Sequence, residues 1–176
     1  MKIRPRFVLA FLCMSLIVAS AWAQHRDPLT DKESDDLREV AQEPLKRMKL
    51  LVKYATERLD TIERVQTEPK SGDRGKKMHD ALEDFRSIVD ELDDNVDDYS
   101  SKSSDLRKAL NEVVTAETQF VSRLQGIKSV AEDPKNADIY KLYSFALQDA
   151  IEAVSLSLDD AKKTLEEQNA ALSKKK

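Results

Sequence analysis

Nine carboxylates stand between His79 and Tyr99: Asp80, Glu83, Asp84, Asp90, Glu91, Asp93, Asp94, Asp97 and Asp98, with Arg86 the single basic residue among them. Oxygen ligands in such number suit hard divalent cations, and Asp90, Asp94, Asp97 and Asp98 are the weak candidates for loosely held metal. Their spacing argues against a built site. Calcium loops wrap the ion at a glycine bend, whereas Asp90-Glu91-Leu92-Asp93-Asp94-Asn95-Val96-Asp97-Asp98 has no glycine and carries a helical apolar pattern. The expectation is a solvated helix face, partly neutralised by a neighbouring helix, with no metal. The functional alternatives are a dock for a basic partner, or a ligand- or metal-sensing surface over 80–98.

Other chemistry has less support. His79 and Glu83 share a helix face, but the only other histidine is His25, near the N-terminus. Di-iron bundles need Glu-x-x-His motifs from two helices, and the chain has none. Haem attachment through Cys-x-x-Cys-His is equally absent. A serine or cysteine nucleophile needs a positioned base, and no elbow, oxyanion loop or triad pattern accompanies His79. No catalytic or cofactor-binding residue is assigned, and the chain reads as a non-enzyme. Glu117 is an oddity: it falls on an otherwise apolar row, where a carboxylate lowers stability unless paired, and a widened part of the seam is the expected reason.

The elements that position these residues are helices. Met78, Phe85, Leu92, Tyr99, Leu106, Val113, Phe120 and Ile127 recur every seventh residue. Leu82, Val89, Val96, Ser103, Leu110, Glu117 and Leu124 form a second row four residues on, the spacing of a coiled-coil seam. The rows predict one central helix from about Lys76 to Ala131, about 80 Å long. Ser100 to Ser104 resemble a turn by composition, and a break there gives a four-helix bundle instead.

Before this spine, Thr30 and Glu33 form a capping box. The apolar stripe Leu37, Ala41, Leu45, Met48, Leu51, Val52, Ala55, Leu59 and Ile62 extends the first helix to about Gln66, with a kink or break near Gln42 and Glu43 because of Pro44. Residues 68–75, with two of the three glycines and a proline, are a loop. After the spine, 132–136 form a second loop. A third helix starts near Ala137 or Asp138 and places Tyr140, Leu147, Ile151, Val154, Leu158, Ala161, Leu165 and Leu172 on one face. The aromatic residues Tyr99, Tyr140, Tyr143, Phe85, Phe120 and Phe145 fall mostly on these seams, as core packing requires.

The first residues address the chain. Lys2, Arg4 and Arg6, an apolar run from Phe7 to Ala19, and Ala21-Trp22-Ala23 have the order of a secretory signal peptide cleaved after Ala23. The run is shorter than a spanning helix needs, so no stable membrane span is expected after cleavage. Residues 24–30 form a flexible leader and 31–173 a single helical domain. The only cysteine, Cys13, leaves with the signal, so the exported chain must hold itself together without disulfides. The whole chain carries 29 Lys and Arg against 33 Asp and Glu, net −4. Loss of three signal residues makes it more acidic, which argues against a nucleic-acid partner.

Antiparallel pairing of helices one and two sets Lys46 near Asp94, Lys49 near Glu91, and Lys53 near Asp84 and Asp90. The same reasoning through the second loop sets Arg107 and Lys108 opposite Asp159 and Asp160. The expected architecture is all-α: an elongated antiparallel three-helix coiled-coil-like bundle with a long central helix. Over 31–172 this helix pattern is similar to spectrin-like modules, and the likeness rests on no motif and implies no site residue. The expected function is that of an exported structural or interaction protein of the cell envelope, associating with itself or a protein partner. A periplasmic helical chaperone or sensor using the acidic face is the alternative.

Overall fold

The computed structural model describes residues 27–69, 72–102 and 104–173; the signal peptide expected over 1–23 lies outside them. Among the described residues there are six α-helices and no strand. They are α1 (Asp31–Glu39), α2 (Pro44–Thr67), α3 (Arg74–Ser101), α4 (Arg107–Ala131), α5 (Ala137–Tyr140) and α6 (Ser144–Ser173), with a short 3-10 turn at Pro134–Asn136. None of these helices is long and apolar enough to cross a membrane.

The capping box forms as read. Thr30 Oγ1 accepts from the Glu33 N–H at 3.3 Å, and Glu33 Oε2 accepts from the Thr30 N–H at 2.7 Å. The break before Pro44 is complete, with turns at 40–42. Proline then occupies the first turn of α2, where its missing N–H leaves no intrahelical bond unmade. The chain doubles back, and α1 lies along α2. Arg58 donates to both Glu33 oxygens at 3.1 and 2.6 Å, Tyr54 donates to Asp36 at 3.1 Å, and Arg47 donates to the Leu37 carbonyl at 2.7 Å. Burial alone would raise the Glu33 carboxyl, but Arg58 and the Thr30 cap outweigh it and hold it below the usual carboxylate range.

The central helix is not continuous. It stops at Ser101 and restarts at Arg107, so the expected three-helix spine gives way to the break at the serines. Every member of the row from Met78 to Ile127 is nonetheless buried. Heptad phase records which side chains reach the core, and a chain that turns back into the same core keeps its phase. The turn is fastened from outside. Gln168 of α6 accepts from the Leu106 N–H at 2.9 Å and donates to the Ser104 carbonyl at 3.0 Å, while the Ser104 N–H donates to the Tyr99 carbonyl at 3.2 Å. These bonds satisfy backbone groups that a helix end leaves open.

Four long helices therefore surround one core, in the spatial order α2, α3, α6, α4. Consecutive α3 and α4 lie diagonally opposite and meet through Phe85 and Phe120, edge to face at 5.5 Å. Arg47 bonded to Glu91 makes α2 and α3 antiparallel. Glu117 with Ser157 and Leu106 with Gln168 do the same for α4 and α6. Lys49 pairs with Glu112 and Asp60 with Arg123, which makes α2 and α4 parallel neighbours. Two α-hairpins are thus laid side by side.

The connection from α4 to α6 is longer than a tight turn and wraps over the start of α3. There Gly75 meets Leu142: a Cβ on Gly75 would lie 2.9 Å from the Leu142 Cβ, inside normal contact. Leu51, Leu59, Ile62, Leu82, Phe85, Ile88, Leu92, Leu110, Leu124, Leu147 and Val154 are wholly buried. Each such side chain stabilises the fold by roughly 1.5–3 kcal/mol before chain entropy is counted.

Candidate functional site

The bundle order puts two acidic stretches side by side. Along α3 run Asp90, Asp93, Asp94 and Asp97; along the neighbouring α6 run Asp149, Glu152, Asp159 and Asp160. Asp93 is raised above the usual carboxylate range, first by partial burial and then by the charges of Asp97, Asp160, Asp94 and Asp90. Asp90 is raised by partial burial too, with Arg86 opposing and Asp94 and Glu83 adding. The electrostatics of this face favour an incoming cation.

Compensation from the first helix is slighter than the sequence suggests. Of Lys46, Arg47, Lys49 and Lys53, it is Arg47 that reaches across, to Glu91 at 2.7 Å and to the Asn95 amide oxygen at 2.6 Å. Lys49 faces Glu112 because α4 occupies its side of α2, and the exposed Lys46 and Lys53 pair locally with Glu43 and Glu57. Arg107 pairs with Asp105, and Asp159 takes Lys162 of its own helix at 3.9 Å. The long α4–α6 connection shifts the register, so the start of α4 lies level with Gln168 and not with Asp159 and Asp160.

Asp90, Asp94, Asp97 and Asp98 all stand exposed on α3. Asp90 pairs with Arg86 at 3.4 Å and Asp98 with Lys102 at 2.6 Å. Among the described residues no three His, Cys, Asp or Glu side chains gather into a group that could hold a metal ion. His79 is exposed beside Asp80 at 3.8 Å; His25 lies outside the described residues.

Glu117 is not at a widened seam. It is 0% exposed, its Oε1 accepts from the Ser157 hydroxyl at 2.7 Å, and its Oε2 has no partner. Burial pushes this carboxyl up to about 7. The Ser157 bond and Lys162 pull the other way, and Asp93 adds to the rise. A hydroxyl donating to a carboxylate is a common catalytic fragment, but both groups are sealed in the core, out of reach of a substrate.

The α3–α6 interface opens into a groove of about 320 Å³ lined by Arg86, Asp90, Asp149, Glu152, Ala153 and Leu156. Leu156 is 60% exposed, and Phe145, read from its spacing as a seam residue, is 84% exposed. The core row of α6 is Leu147, Ile151, Val154, Leu158 and Ala161, which turns Phe145 outward with Asp149, Glu152 and Leu156. That outward row is legible in the sequence as Phe-x3-Asp-x2-Glu-x3-Leu; its proximity to Asp90 is not.

Comparison with protein-family models, curated proteins and solved structures finds no match for this chain.

Proposed function

We propose that this chain is an exported structural or interaction protein of the cell envelope, without catalytic activity, released from its signal peptide after Ala23. One observation carries the reading. On α6, Phe145 and Leu156 stand in water on the same face as Asp149 and Glu152, which have no ion-pair partner among the described residues. Large apolar side chains left in water beside carboxylates that no cation among the described residues covers, on a body whose core is already filled, support a contact surface on this face.

The test is photocrosslinking in intact cells, with the reactive residue placed in turn on α1, on the α2–α4 side and at Leu156, followed by mass spectrometry of the adducts. A discrete protein adduct from at least one face is expected. Fractionation with N-terminal sequencing should find the chain outside the cytoplasm, beginning at Gln24. Silence at every face, together with a strictly monomeric chain in sedimentation, refutes the reading.

A further inference from the structure

Resting on that interaction reading, we propose that the α3–α6 groove is the docking site for a basic amphipathic helix of a partner protein. The partner's aliphatic row lies against Ala153, Leu156 and Phe145, and its lysines or arginines meet Asp149, Glu152 and Asp90.

Charge complementarity selects this occupant. The groove lining carries three carboxylates against one arginine, and Arg86 is engaged with Asp90 at 3.4 Å. Asp93 and Asp160 extend the negative face further along the same two helices. An anionic lipid surface would be repelled by these groups, and an uncharged one would leave them without partners. A second copy packed through the same groove would bring the same acidic face against it. Shape agrees with charge. Two parallel neighbouring helices leave a long trough into which the side-chain ridge of a third helix packs. From Phe145 to Leu156 is three turns, about 16 Å along the axis. A partner helix with apolar anchors at i and i+11, and basic residues between them, matches that length and its pattern of apolar ends with acidic middle. The charges of Asp97, Asp160, Asp94 and Asp90, added to partial burial, already hold Asp93 above the usual carboxylate range, so a cation brought alongside this face is favoured.

The experiment uses the chain from Gln24 onward and a synthetic Lys/Leu peptide of about 18 residues, five helical turns. A scrambled peptide of identical composition lacks the apolar face. Fluorescence anisotropy at physiological salt should show the amphipathic peptide bound at least about 10-fold more tightly than the scrambled one. Asp149→Asn with Glu152→Gln should weaken binding about 10-fold, and Leu156→Ser by a similar factor. Asp35→Asn with Glu39→Gln, on exposed α1, should leave it unchanged.

Equal binding of the scrambled peptide, or equal loss in the α1 variant, overturns the proposal, because net charge alone would then explain the affinity. Binding to phosphatidylglycerol vesicles that Phe145→Ser abolishes also overturns it, by assigning the apolar residues to lipid. In the crosslinking experiment, adducts from other faces with none at Leu156 reject this groove while the interaction reading stands. Silence everywhere rejects both.

Discussion

Glu117→Gln should reverse its effect on stability as pH rises. The Glu117 carboxyl is wholly buried, holds one hydrogen bond from Ser157, and is pushed up from 4.5 to about 7. In the unfolded chain it titrates near its ordinary value. Between those two values the folded protein keeps a proton that the unfolded chain has released, so stability falls with rising pH by about 1.36 kcal/mol per unit. Across the window this amounts to roughly 3 kcal/mol, fully present below about pH 4.5 and lost above about pH 7. Glutamine keeps an acceptor for Ser157 but places an amide N–H₂ where Oε2 has no partner. That costs about 1–2 kcal/mol at every pH. The variant should therefore be less stable than the parent near the acid end of the window and more stable above neutrality. The other shifted groups, with Asp90 raised and Glu33, Asp36 and Asp105 lowered, are common to both proteins and cancel in the difference, while the charge of Asp93 is already part of the Glu117 rise. Urea unfolding followed by far-UV circular dichroism from about pH 4.5 to about pH 8.5 gives that difference directly. A difference that stays constant across the range would falsify the reasoning, since it would mean that Glu117 is ionised throughout or titrates equally in both states.

Two further substitutions probe features absent from any single helix. Gln168→Ala removes both bonds that clamp the α3–α4 crossover; a loss of about 1–3 kcal/mol, with faster amide exchange at Leu106 than in the rest of α4, is expected, and unchanged exchange at Leu106 would show the turn to be self-sufficient. Gly75→Ala forces a methyl against the Leu142 Cβ at 2.9 Å and should cost about 1–3 kcal/mol. Because the obstruction includes Leu142 Cβ, Leu142→Ala recovers only the part due to the side-chain end, and thermal melts of the double variant that match the parent would place the strain wholly in that flexible end.

Helix content, the capping box, the break at Pro44 and most of the core residues, though not Phe145 or Leu172, were legible because each depends on neighbours within about one or two turns: a cap, a missing N–H, an apolar period. The row from Met78 to Ile127 reported burial correctly at every position, and it misled about continuity, since a seventh-residue repeat is blind to a turn that returns the chain to its own core. The side chain that fastens the turn is Gln168, more than sixty residues away. Lys49 and Arg107 met partners other than those reckoned from hairpin arithmetic, because α4 lies beside α2 and the connection before α6 is long.

The acidic face was visible as composition, but its meaning was not. Sequence by itself determined an all-α chain whose apolar residues must share one core, because side-chain period and backbone capping are local properties. Only the tertiary structure decided that α3 and α6 run parallel as neighbours, which crowds two like-charged stretches together, and that α4 packs on α6, which seals Glu117 against Ser157. Which helices become neighbours is set by packing between distant segments, and no local pattern carries that information.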